Sequence, residues 1–230
     1  MHSGVTDSGE WDAVRPLLAR EHEVVTPDLP GFGSEPEVQG EFSLGDYVLG
    51  TFEGSGALVG TSFGGRAVLE AALAAQERVT KLVVINANVF GWSEDVQRVQ
   101  QGEETMFDEG RFDDAAKLMA DSWLAGPQRE PSDVDPALYA RVCEMVKRSY
   151  ELQAGGEGSL KRVEFDLSRI ATPTLVMRGE LDWPDVAAAA ERFVRELPDA
   201  REEVVAGCAH LPAMERPDEV ARLILEFLRN

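Results

Sequence analysis

Cysteine is scarce in this chain: Cys143 and Cys208 are the only two among 230 residues. A chain of this length can build its own core, so it needs no disulfide framework, and two reduced thiols suit a cytoplasmic protein. Basic residues are also few, 22 Lys and Arg against 42 Asp and Glu, giving a formal charge of −20. Such a field repels phosphate backbones and anionic lipid surfaces, which argues against nucleic acid and membranes as partners. No stretch approaches the roughly 20 apolar residues of a membrane span, and no basic segment followed by an apolar run opens the chain. Internal repeats and low-complexity tracts are absent, while the 43% apolar content is too high for a disordered chain. Histidine is limited to His2, His22 and His210, so any chemistry that needs an imidazole has few choices.

What is present is a set of short Val-, Ile- and Leu-rich runs without strict alternation, the pattern of strands buried on both faces. They are Glu23–Thr26, Ala57–Gly60, Lys81–Ile85, Thr174–Met177 and Glu202–Val205. Helical patterns lie between and after them at Arg66–Ala75, Val186–Leu197 and Glu219–Leu228. This alternation predicts an α/β fold with a mostly parallel sheet flanked by helices. From about Phe90 to Asp166 the alternation stops, and helical stretches near Glu94–Met106, Asp113–Trp123 and Pro136–Leu152 predict an all-helical insertion. The expected division is a first core part over 1–89, the insertion over 90–166 and a second core part over 167–230.

The segment Gly60-Thr61-Ser62-Phe63-Gly64 follows a predicted strand and runs into a predicted helix. A hydroxyl is a weak nucleophile, and a sharp Gly-flanked turn in this context exposes it at the carboxyl end of a strand. Ser62 is therefore the candidate nucleophile. A phosphate-binding loop would want a Lys followed by Ser or Thr, and Gly64-Gly65-Arg66 does not supply them. The base falls to His210, in a loop after the Glu202–Val205 strand, because His22 precedes a strand among charged residues. An orienting acid is expected after the Thr174–Met177 strand. Asp182 is the first choice there, with Glu180 and Asp185 near enough in sequence to compete.

With these residues in view the chain resembles the α/β-hydrolase superfamily, near its esterase and enol-lactonase members. The resemblance rests on His2-Ser3-Gly4, Trp11, Pro27 through Gly33, Gly60 through Gly65, Gly179 through Asp182, and Gly207 through His210. It implies a Ser62–His210–Asp182 triad with oxyanion donors from the backbone N–H of Phe63 and of Gly4, Val5 being the fallback. It also implies that the insertion is a cap over the site, with Val5, Trp92, Trp123 and Trp183 candidates to line the substrate pocket, Trp183 being equally placed to pack beneath the cap. The implied function is a metal-independent, cofactor-free hydrolase of a small or medium carboxylic ester, lactone or thioester. Carbon–carbon bond hydrolases and perhydrolases share such a triad, and a slow-turnover ligand-binding receptor is the reading from a different class. The expected partner is a small acyl molecule, and a homo-oligomer stays open. The family places a strand before the His2 loop, between Glu23–Thr26 and Ala57–Gly60, that this sequence does not contain. Roughly 20 or more upstream residues are the expectation in the native protein, from ordinary strand and hairpin lengths.

Overall fold

The computed structural model describes all 230 residues. Six strands form: β1 (Gly40–Phe42), β2 (Gly56–Thr61), β3 (Val79–Ile85), β4 (Gly158–Leu160), β5 (Thr174–Gly179) and β6 (Ala200–Val205). The α-helices are α1 (Arg15–Leu18), α2 (Leu44–Gly50), α3 (Phe63–Ala74), α4 (Glu94–Asp108), α5 (Phe112–Met119), α6 (Pro136–Gln153), α7 (Pro184–Glu196), α8 (Pro212–Glu215) and α9 (Pro217–Arg229). The main sheet has the order β2-β3-β5-β6 and every pair in it is parallel.

Alternation along the central strands divides the core between the two faces of this sheet. Leu82, Val84 and Val176 point to one face and pack with Leu44, Val48, Val68, Ala190 and Phe193 from α2, α3 and α7. Val83, Ile85, Leu175 and Met177 point to the other, against Trp11, Val14 and Leu18 and against Val220, Ile224 and Phe227 of α9. Because both faces are covered, β3 is apolar without alternation over Leu82–Ile85 and β5 over Leu175–Met177, as the runs in the sequence predicted. Both α7 and α9 start on a proline, Pro184 and Pro217, where the missing N–H would have no helical partner anyway.

Two expectations need correction. The segment Glu23–Thr26 is not a strand: it enters no ladder, and Val25 is largely exposed. The cause is the lack of a neighbour. An open groove of about 640 Å³, lined by Val24, Val25, Ala57, Leu58 and Val59, lies between this segment and β2. Only Met1 bonds to the free edge of β2 there, its carbonyl accepting the Thr61 N–H at 3.0 Å. The insertion is also not purely helical. Its strand β4 pairs in parallel with β1 in a separate two-stranded sheet, tying the return from α6 to the loop before α2.

Helices α4, α5 and α6 pack around a third core of Val96, Ala116, Met119, Val142, Val146 and Tyr150, which also takes in Val5 and Leu211 from the loops at the carboxyl ends of the strands. Between α5 and α6 the chain makes a π-helical turn over Ala120–Ala125. This shift of register occurs where the helices cross the strand ends, as π turns often do at functional sites.

Candidate active site

The turn from β2 into α3 holds Ser62 at φ 52° and ψ −111°, a left-handed backbone conformation that serine rarely adopts. The strain is held from both sides. The Ser62 N–H donates to the Ile85 carbonyl at 2.7 Å, which pins the turn to β3. A side chain on Gly60 would lie 2.2 Å from the Gly64 carbonyl oxygen, and one on Gly64 would lie 2.4 Å from the His2 carbonyl oxygen. The flanking glycines are thus required by the close approach of backbone on both sides, and the outcome is a serine lifted into a cleft.

The loop after β6 brings His210 to the loop after β5. His210 Nδ1 and Asp182 Oδ2 are 2.6 Å apart, and both side chains are almost fully buried. The other Asp182 oxygen accepts the N–H of Trp183 at 2.8 Å. The competing carboxylates are used elsewhere. Glu180 accepts the Gly207 N–H, and Asp185 accepts both the N–H and the hydroxyl of Ser93. Ser62 and His210 line the same cleft without a direct hydrogen bond between them. His22, by contrast, lines the groove beside β2.

Several supports of this pair carry no motif in the sequence. Asn86, buried just past β3 at φ 47°, accepts the Gly179 N–H and donates to the carbonyls of Ala209 and His210. The Trp123 ring lies 4.4 Å from the imidazole, centroid to centroid, and the Trp123 carbonyl accepts the His210 N–H. Glu215 accepts the Ala209 N–H and pairs with Arg129, which also donates to the carbonyls of Leu124 and Ala125. The only signal available in sequence was the position of Asn86 one residue beyond a strand end.

The loop at His2–Thr6 lies across the cleft from α3. Glu10 anchors it by accepting the Ser3 N–H and the Thr6 hydroxyl. Phe63 is the first residue of α3, so its N–H has no intrahelical partner. The Gly4 N–H makes no hydrogen bond within the chain, whereas the Val5 N–H is spent on the Ser3 hydroxyl. A side chain on Gly4 would reach Phe63 at 3.4 Å, which brings the two loops into contact. His2 accepts the Leu29 N–H at Nε2 and donates from Nδ1 to the Ser3 carbonyl. Full burial lowers its pKa to about 4, so the ring is a neutral tie between loops.

The cleft has a volume of about 360 Å³, and Gly4, Val5, Phe63, Trp92 and Trp123 line it. Trp183 does not. Its ring packs at 6.3 Å from Trp123, and its indole N–H donates to the Ser122 carbonyl of the π turn. No group of three or more His, Cys, Asp or Glu side chains is placed to hold a metal ion.

Along one cleft the chain places a half-buried serine, an imidazole hydrogen-bonded to a carboxylate, and two residues, Phe63 and Gly4, whose backbone N–H groups have no partner in the chain. The chain is 24% identical to a 2-hydroxy-6-oxo-6-(2'-aminophenyl)hexa-2,4-dienoic acid hydrolase of Metapseudomonas resinovorans, over 98% of this chain and 80% of the relative. It is also 24% identical to a pimeloyl-[acyl-carrier protein] methyl ester esterase of Photobacterium profundum, over 100% of this chain and 93% of the relative. The enol-lactonase from Burkholderia xenovorans LB400 superposes with a TM-score of 0.80 at 19% identity, covering 100% of this chain and 89% of that one. The profile described as "Alpha/beta hydrolase family" matches residues 1–223, and the chain belongs to that family.

Proposed function

We propose that this chain is a metal-independent serine hydrolase that cleaves a small or medium carboxylic ester, lactone or thioester through an acyl-enzyme on Ser62. The observation that carries the reading is the 2.6 Å His210–Asp182 hydrogen bond, in the cleft into which the strained turn lifts Ser62. With Nδ1–H donated to Asp182, the Nε2 of His210 is left as an acceptor for the Ser62 proton. Ser62 Oγ then attacks the acyl carbon, and the N–H groups of Phe63 and Gly4 receive the oxyanion. His210 returns the proton to the departing alcohol or thiol, and water releases the acid by the same steps in reverse. The triad supplies its own nucleophile and base, so no step calls for a metal. In this reading residues 90–166 are the cap, and residues 1–89 and 167–230 are the two parts of the core.

A fluorophosphonate probe tests the nucleophile. Stoichiometric labelling, mapped to Ser62 and lost together with p-nitrophenyl acetate turnover in Ser62→Ala, is the expected result. Labelling elsewhere, or turnover that survives the substitution, would refute it. The similarity to a dienoic acid hydrolase supports a second reading, carbon–carbon bond hydrolysis by the same three residues. Faster turnover of a vinylogous 1,5-diketone than of any ester would favour it.

A further inference from the structure

The cap side of the cleft holds an acid that the triad does not use. Glu103 on α4 and Tyr150 on α6 both line the cleft that contains Ser62 and His210. The Tyr150 hydroxyl donates its one proton to Glu103 Oε1 at 2.7 Å, and the second carboxylate oxygen has no partner in the chain. Gln100, one turn earlier on α4, faces the same cleft and widens the polar wall.

Glu103 also lacks a counter-charge. The one arginine lining the cleft, Arg66, is held by Glu70 at 2.8 Å, and Glu103 takes part in no ion pair. Burial pushes its carboxyl above the usual range, and the Tyr150 hydroxyl offsets only part of this. A partly buried carboxylate with one oxygen unpaired gains free energy when a donor arrives. The cleft that Glu103 lines is a space from which such a donor can arrive.

We propose that Glu103 is a specificity-determining acceptor that selects acyl substrates carrying a hydrogen-bond donor, a hydroxyl or a protonated amine, on the part of the molecule lying under the cap. This rests on the reading of the cleft as the Ser62 active site. Tyr150 fixes the carboxylate plane by holding one oxygen, and the free oxygen points the substrate donor toward α4. Plain alkyl esters of equal length leave that oxygen without a partner and displace whatever water served it.

Binding and turnover separate this inference from the reading it rests on. In the Ser62→Ala protein, calorimetry would compare the methyl esters of hexanoic and octanoic acid with their ω-hydroxy and ω-amino counterparts. The expected result is about tenfold or tighter binding of at least one donor ester over the plain ester, since a hydrogen bond to a charged group commonly gives that factor. The advantage should vanish when Glu103→Leu is added. With Glu103→Gln, which keeps a partner for Tyr150, an amine advantage should fall and a hydroxyl advantage should persist. An amine that binds best marks cation recognition, and a hydroxyl that binds best marks neutral donor recognition. Equal or weaker binding of both donor esters, or a preference that survives Glu103→Leu, overturns the inference. Matching kcat/KM ratios in the protein with Ser62 intact complete the test. Donor preference in binding with no hydrolysis of any ester would strike the Ser62 reading and leave the Glu103 assignment standing.

Discussion

Replacing Asp182 with Asn changes one buried atom and should cost most of the activity. Asp182 accepts two hydrogen bonds, from the Trp183 N–H at one oxygen and from His210 at the other. In Asp182→Asn, the amide oxygen can keep the Trp183 N–H only by turning its NH₂ toward His210 Nδ1. The imidazole must then accept at Nδ1 and carry its proton on Nε2, where it can no longer take one from Ser62. The opposite amide orientation sets NH₂ against the Trp183 N–H and leaves a buried donor unpaired, at a cost of about 1–3 kcal/mol. The competent tautomer also loses the carboxylate that would stabilise the imidazolium, a further 1.5–3 kcal/mol or so. Together these predict a fall in kcat of about 10²- to 10⁴-fold, at 1.4 kcal/mol per decade. The assay is steady-state turnover of p-nitrophenyl acetate, with circular dichroism to show that the near-isosteric variant is folded. A folded Asp182→Asn protein with kcat within about tenfold of the native value would refute the assignment and move the acid to Glu180 or Asp185.

Other expectations follow from the supports of the site. Asn86→Ala removes three hydrogen bonds that join Gly179 to the His210 loop, so thermal unfolding should show a loss of about 3 kcal/mol or more; an unchanged Tm would contradict this. Arg129→Ala leaves Glu215 buried without its partner and removes one of the ties between the π turn and the His210 loop, so kcat should fall more than KM rises; an effect on KM alone would show that the pair does not position His210. Trp183→Phe should leave KM within about twofold because the ring lies outside the cleft, whereas Trp123→Ala should raise it severalfold; equal effects would place both rings in the pocket. His2, lowered to about 4, binds fewer protons folded than unfolded between pH 4 and 6.5. Its stabilising effect is complete above about pH 6.5 and is lost as pH falls toward 4. His2→Gln should therefore flatten the urea-derived stability profile in that window by roughly 3 kcal/mol relative to the native chain.

The parallel core was legible because β3 and β5 are buried on both faces, and burial is what a Val- and Ile-rich run records. Glu23–Thr26 shows the limit of that signal. Its Val-Val pair reads like the other strands, yet a strand also needs a neighbour to accept and donate its backbone bonds, and no property of the four residues reports one. The short pair β1 and β4 failed for the opposite reason. Three residues each, with Gly40 and Gly158 at their starts, carry no apolar pattern, and their pairing joins segments more than a hundred residues apart. Neither error touches the site, because the strands that carry Ser62, Asp182 and His210 are bonded to one another in an unbroken parallel run.

Within the site, legibility followed the length of chain over which each feature is decided. Ser62 is decided by five residues: the glycines on either side would clash with backbone if they carried a side chain, and such a local constraint leaves a local motif. The choice among Glu180, Asp182 and Asp185 is decided by which one the β6 loop meets, so spacing within a six-residue stretch could rank them but not separate them. Trp183 stayed open between the pocket and a place beneath the cap for the same reason. Proximity in sequence to Asp182 suggested the pocket, while the Ser122 carbonyl, sixty-one residues away, decides where the indole points. The same π turn reaches His210, since the Trp123 carbonyl holds the His210 N–H and Arg129 bridges the turn to Glu215. On the proposed reading of residues 90–166 as a cap, the insertion does more than roof the cleft. It supplies part of the frame that holds His210, and substitutions in Ala120–Ala125 should alter kcat through the imidazole as well as KM through the pocket.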